Sequence, residues 1–297
     1  MDRNSEELLR GFGEAIQQHM YREQQSKLAS YRALNAVAQK GAILFTGSSL
    51  MEQFPICEIA RSAGITKTIY NRGIGGTTMD DFMREIDTVL LDLEPSKVFI
   101  NIGTKDMTDW VYGDRWMDHL EANYDTILWR THNRLPEAEI YCMAYYPTNQ
   151  HLPGQDEISR GMLKDRTIEN IAACNRRIAA LAKKHGCRFI DCNQGLTDEV
   201  VEQKAEFSVD GVHMLANAYL LVFGNAPPWP WPTTRSDRLN FTAMCSMRTA
   251  PPGARKRATA LLSISAYWWT TITRFISTLA SPRSVFSRRS LSCAATG

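Results

Sequence analysis

Five short apolar runs rich in β-branched and aromatic residues, at 42–47, 67–71, 97–102, 139–145 and 187–191, alternate along the chain with longer stretches. In those stretches, 51–63, 77–91, 116–134, 163–185 and 214–223, apolar residues recur every three or four positions, as on one face of a helix. The run KVFINI at 97–102 is almost continuously apolar, which suits a central parallel strand covered on both faces. Strands alternating with helices of this length predict parallel βαβ units. The expected fold class is therefore α/β: one flavodoxin-like three-layer αβα sandwich around a five-stranded parallel sheet, occupying residues 41–225.

Ahead of the first strand, Leu8, Leu9, Phe12, Ile16, Met20, Leu28, Tyr31, Leu34 and Val37 fall at helical spacing, with charges and glutamines between them. Residues 1–40 thus predict a helical extension, either one long helix or a pair broken near Ser26. Its apolar stripe is expected on the protein's own sheet first, and in a homo-oligomer second. Beyond residue 225 the pattern stops. Residues 226–297 carry 10 Lys and Arg against one acidic residue, whereas residues 1–225 carry 24 basic and 31 acidic ones. This final segment reads as a basic, low-order tail, non-native or disordered. Its most apolar part, 258–273, is too short and too rich in Ser and Thr for a membrane span.

The remaining composition mainly excludes. The mildly acidic first part gives no reason to expect a nucleic-acid partner. The opening MDRNSEELLRGF has acidic residues and no apolar core of signal-peptide length, so the expected location is cytoplasmic. Seven cysteines, with no C-x-x-C, support neither a disulfide framework nor a zinc site.

Candidate chemistry starts where the first strand ends, in AILFTGSSL. Gly47 allows a tight turn, and Ser49 is placed in the first turn of the next helix, at the carboxyl edge of the sheet where ligands bind. A serine pair between strand and helix most often only caps the helix. Here it has company: NRGIGG at 71–76, IGTKD at 102–106 and DGVH at 210–213 follow in order. With these four blocks the chain resembles the SGNH, or GDSL-like, serine hydrolases over roughly residues 41–225. GIGGTT also follows a strand and opens a helix, but it lacks the third glycine of a dinucleotide fingerprint.

The resemblance implies the same fold and a cofactor-free esterase or acylhydrolase acting on a small-molecule ester. It implies Ser49 as nucleophile, His213 as base and Asp210 as the group that orients the imidazole. The oxyanion would be held by the amides of Ser49 and Gly73 and by residue 105. Two positions depart from the family pattern. Ser48 stands where the G-D-S block has Asp, and Lys105 stands where G-T-N-D has Asn. A lysine has no planar amide, and it is free to pair with Asp106 instead. Losing an oxyanion donor costs on the order of 10²–10³ in turnover, so a slow esterase is expected, and Lys105→Asn should raise activity on neutral esters. The alternative is a catalytically impaired protein of the same fold that binds a ligand or partner. Trp110, Tyr112, Trp116, Tyr145 and Tyr146 follow the third and fourth strands and are candidates for the cleft rim as much as for the core.

Overall fold

The computed structural model describes residues 3–226 apart from Asp156. Residues 227–297, nearly all of the expected basic tail, lie outside the described residues. In chain order the elements are α1 (Arg3–Asn35), β1 (Ile43–Gly47), α2 (Ser49–Glu52), α3 (Ile56–Ser62) and β2 (Ile69–Asn71). Next come α4 (Met79–Arg84), α5 (Ile86–Val89), β3 (Lys97–Asn101), α6 (Asp109–Tyr112), α7 (Trp116–Arg134) and β4 (Glu139–Met143). The series closes with α8 (Glu157–Leu163), α9 (Ile168–Lys184), β5 (Arg188–Ile190) and α10 (Ala216–Asn225).

All five strands pair in parallel, in the order β2-β1-β3-β4-β5. This is the flavodoxin-like αβα sandwich that the alternation predicts. The strand order reverses between β1 and β3, so the crevice beyond their carboxyl ends is where such a sheet opens to a ligand. Ser49 follows β1 and Lys105 follows β3, which puts both at that crevice.

Side chains alternate across the strands and feed two cores. Leu44, Val98, Ile100 and Cys142 meet α1, α4, α5, α7 and α9 through Leu28, Phe82, Ile86, Leu120 and Ile178. Phe45, Phe99 and Tyr141 face the other way, toward α2, α3 and α10. Those three are in register across β1, β3 and β4, and their rings stack at 4.7 and 4.5 Å between centroids. Stacked pairs of this kind contribute about 0.5–1.5 kcal/mol beyond their buried area.

Of the two arrangements expected for the N-terminal extension, the first helix takes the single one and runs unbroken through Ser26. Two other boundaries differ from expectation, each for a local reason. The helix expected at 51–63 splits into α2 and α3 because Pro55 cannot continue α2. The one expected at 163–185 begins at Ile168, where the Thr167 hydroxyl caps the Asn170 amide at 3.2 Å.

Candidate active site

Gly47 closes β1 with φ 149°, and a Cβ there would stand 1.9 Å from the Asn101 carbonyl oxygen. Only glycine lets β1 run this close to β3 and still turn into α2. Ser48 takes the N-cap position but makes no capping hydrogen bond, and its side chain is buried. Ser49 opens the helix half-buried, and its hydroxyl lies 2.8 Å from His213 Nε2.

The loop before α10 builds the other side almost alone. Asp210 Oδ1 accepts the amides of Val212 and His213 at 2.9 and 2.8 Å. Asp210 Oδ2 lies 2.6 Å from His213 Nδ1. Burial pushes the Asp210 carboxyl up, but the imidazole and the two amides outweigh it and hold the group at about 2. A carboxylate at that position keeps the ring proton on Nδ1 and leaves Nε2 to accept the Ser49 hydroxyl proton. Outer supports fix the loop: the Gln155 amide donates to the Asp210 carbonyl at 2.8 Å, and the Tyr219 hydroxyl ties α10 to the Leu50 carbonyl at 2.7 Å.

The glycine block is arranged differently from expectation. The Gly73 N–H is not available to an oxyanion, because it donates to Asn71 Oδ1 at 2.9 Å. What Gly73 supplies is room: a Cβ there would stand 2.2 Å from the Glu52 nitrogen. The Gly75 N–H is also taken, by the Glu52 carboxylate. The amides of Gly76 and Ser49 have no acceptor among the described residues. Gly75 lies beside the serine, since a Cβ on it would stand 3.9 Å from Ser49 Cβ.

Sequence reasoning missed what orients this block, namely α1. Tyr31 Oη donates to the Gly73 carbonyl and Gln24 Nε2 to the Gly75 carbonyl, both at 2.9 Å. Lys27 pairs with Glu52. In a planar trans peptide the carbonyl and the following N–H point to opposite sides. With the Gly75 carbonyl drawn toward α1, the Gly76 N–H faces away from it. Helical periodicity showed that α1 has an inner face, but nothing in it distinguishes a packing glutamine from one that grips a carbonyl 51 residues away.

Lys105 does not pair with Asp106. Its ammonium donates to the Gly76 carbonyl. Surrounding protein lowers the Lys105 pKa, with Asp81 and Asp106 partly restoring it. Asp106 is buried and caps α4, both carboxylate oxygens lying 3.1 Å from the Met79 nitrogen. Burial raises it to about 7. A second unforeseen neighbour is Arg166, whose Nε donates to the Thr104 carbonyl at 2.9 Å. Of the aromatic residues considered for the rim, Trp110 is 70 % exposed, whereas Trp116, Tyr145 and Tyr146 are buried in the cores. Tyr112 is half-used inside, bonding Asp80 and stacking on His119.

A cavity of about 750 Å³ opens at the opposite edge of the sheet, among Arg32, Lys40, Glu94, Arg134 and Glu137. It does not touch the serine site. Among the described residues, no group of His, Cys, Asp and Glu could hold a metal ion, and no helix is long and apolar enough to cross a membrane.

Comparison with known proteins follows the same lines. The chain matches no curated protein sequence. Its structure is similar to that of a Streptococcus pneumonia protein provisionally described as a platelet activating factor. The two share 26 % identity and a TM-score of 0.62, over 76 % of this chain and 97 % of that one. It is also similar in fold to a GDSL-like lipase from Bacteroides thetaiotaomicron (20 % identity, TM-score 0.54, 67 % of this chain and 94 % of that one). An acetyl-xylooligosaccharide esterase from Geobacillus Stearmophilus shares the fold as well (17 % identity, TM-score 0.50, 67 % and 99 %). The model of the GDSL-like Lipase/Acylhydrolase family matches residues 58–221, a span that takes in the glycine block, Lys105 and the D-x-x-H loop, with Ser49 just ahead of it. Matched over more than half of its length, the chain belongs to that family of carboxylic ester hydrolases.

Proposed function

We propose that this protein hydrolyses a small ester through a Ser49–His213–Asp210 triad. The observation that carries the reading is the continuous line of hydrogen bonds, 2.8 Å from Ser49 Oγ to His213 Nε2 and 2.6 Å from His213 Nδ1 to Asp210. In the reaction, Ser49 Oγ attacks the ester carbonyl carbon while its proton passes to Nε2. The carbonyl oxygen becomes an oxyanion, received by the free amides of Ser49 and Gly76 and by the ammonium of Lys105. Collapse of the tetrahedral intermediate breaks the bond to the alcohol, which leaves with the proton from Nε2. A water molecule, deprotonated by the same nitrogen, then releases the acid and restores Ser49. Asp210 stays ionised throughout and keeps the imidazolium in place.

Gln24 and Tyr31 act in this scheme as positioning residues for the glycine block. Five cysteines are free among the described residues, which suits a reducing, cytoplasmic location. The competing reading, an impaired enzyme that only binds ligand, draws on Lys105, whose ammonium is already engaged with the Gly76 carbonyl. Labelling with a fluorophosphonate and turnover of p-nitrophenyl acetate decide between them. Wild type and Ser48→Ala should label and turn over ester, and Ser49→Ala should do neither. Equal labelling of wild type and Ser49→Ala would end the hydrolase reading.

A further inference from the structure

Two cations stand beside the candidate site with no carboxylate paired to either among the described residues. Lys105 uses its ammonium on the Gly76 carbonyl, and Arg166 uses only Nε, on the Thr104 carbonyl. The two η nitrogens of Arg166 have no acceptor among the described residues, and neither side chain forms an ion pair there. Arg166 is tied to the Thr104 carbonyl and Lys105 is the next residue of that loop, which brings the two residues to the same part of the molecule. The charge of Arg166 reaches Lys105 and helps depress it, and the Asp210 carboxylate is the largest favourable charge on Arg166. This links the pair to the triad on one side. On the other, Lys105 Nζ lies 3.9 Å from where a Gly76 Cβ would be.

Most arginines this enclosed are held by a carboxylate, because removing a guanidinium from water is costly unless its donors are satisfied. Arg166 is half-buried, desolvation lowers its pKa, and one planar edge of its fork is left unused. A guanidinium fork matches a carboxylate or a phosphate through two parallel N–H···O bonds. Two like charges held by backbone carbonyls around the loop after β3, one of them with an unused donor edge, form a receptor for an anion.

Resting on the hydrolase reading, we propose that the substrate is an ester bearing an anionic group, a carboxylate or a phosphate, which Arg166 and Lys105 bind while Ser49 attacks the neighbouring acyl carbon. The departure from the family's asparagine at position 105 is then a specificity device, not damage. It trades a fixed amide for a positive charge.

The test uses the whole chain and three para-substituted phenyl acetates, bearing a carboxylate, its neutral methyl ester or a phosphate: 4-acetoxybenzoate, its methyl ester and 4-acetoxyphenyl phosphate. Wild type should favour at least one anionic ester over the methyl ester by about tenfold or more in kcat/KM, chiefly through KM. Raised salt should erode that preference. Arg166→Gln should lower the anionic-to-neutral ratio about 10- to 100-fold, the scale of a charge-assisted hydrogen bond. Arg166→Lys should restore part of it. Lys105→Asn should shift the ratio the same way while raising turnover of the methyl ester. The carboxylate and phosphate arms show which anion the fork prefers.

Calorimetry with benzoate and phenyl phosphate reads the pair without turnover. Binding of one of them that is lost in Arg166→Gln supports the inference, and no binding of either to wild type overturns it. A preference for the methyl ester, or equal losses on all three esters in Arg166→Gln, would overturn it too. Failure of the hydrolase reading shows separately, as absent labelling of Ser49.

Discussion

The site contains two carboxylates, Asp106 buried and Asp210 half-buried, whose environments push them in opposite directions. Asp210 sits at about 2 and Asp106 at about 7. Both lose water, so burial alone cannot explain the difference. Asp210 has two amides on one oxygen and an imidazole on the other, all from its own loop. Asp106 must share a single amide, that of Met79, between both oxygens, and it sees the negative charge of Asp80 nearby. The contrast extends to whole regions. In the proposed mechanism the base side of the site is one short loop, and the oxyanion side is assembled from four distant segments: the start of α2, the glycine block, the loop after β3, and α1.

The largest effect should come from breaking the base side. His213→Ala is expected to lower kcat by about 10⁴ or more, as removal of a triad base does elsewhere. Asp210→Asn should cost nearly as much. The amide can offer its N–H to Nδ1, which favours the tautomer with the proton on Nε2 and takes away the acceptor that Ser49 needs. Kinetics on p-nitrophenyl acetate, with melting temperatures as a check on folding, read both. If either variant kept a tenth of wild-type turnover, the loop would not be the base side.

A middle-sized effect is expected from the assembled side. Gln24→Ala removes the grip on the Gly75 carbonyl, and the Gly75–Gly76 peptide is then free to rotate. The Gly76 N–H should lose its aim, lowering kcat about tenfold with KM and melting temperature nearly unchanged, since one exposed-edge hydrogen bond contributes only about 1 kcal/mol to stability. A fall in melting temperature with kcat intact would make Gln24 a packing residue and nothing more.

The same division explains how much of the protein could be read from its sequence. The five strands and their parallel pairing follow from short apolar runs alternating with helical stretches, a pattern that each segment carries locally. Asp210, His213 and Ser49 were named through the resemblance carried by four blocks in order, since neither a D-x-x-H spacing nor a strand–Gly–Ser–helix junction suffices alone. The structure brings all three together. Gly73 was misassigned because which amide of N-R-G-I-G-G stays free depends on Asn71 and Glu52, and neither partnership leaves a periodic trace. Gln24 and Arg166 were invisible for the same reason, since their partners lie 51 and 62 residues away. The buried Tyr145 and Tyr146 mark the converse failure. Being next to a strand end says nothing of which way a ring turns.

The smallest effect is one of stability with pH, and it tests the comparison most directly. A folded-state pKa raised to about 7 means that the native protein binds a proton at Asp106 more tightly than the unfolded chain, whose carboxyl titrates near 3.8. Between those values the native state holds more protons, so this group's contribution falls as pH rises from about 4 to about 7 and stays low above that. Three pKa units correspond to a cost on the order of 4 kcal/mol at most, reduced by whatever the surroundings relax. Asp210 has the opposite sign: its contribution is present above about 4 and is lost as pH falls toward 2. Asp106→Asn keeps an oxygen for the Met79 amide and removes the charge. Its melting temperature relative to wild type should therefore climb between pH 5 and pH 8, because only the wild type accumulates the cost of ionising a buried acid. Asp210→Asn should show no such climb over the same range. Parallel curves for Asp106→Asn and wild type from pH 5 to pH 8 would mean that Lys105 and the α4 amide already stabilise the ionised form. The two carboxylates would then be alike, and the assembled side of the site as well satisfied as the local one.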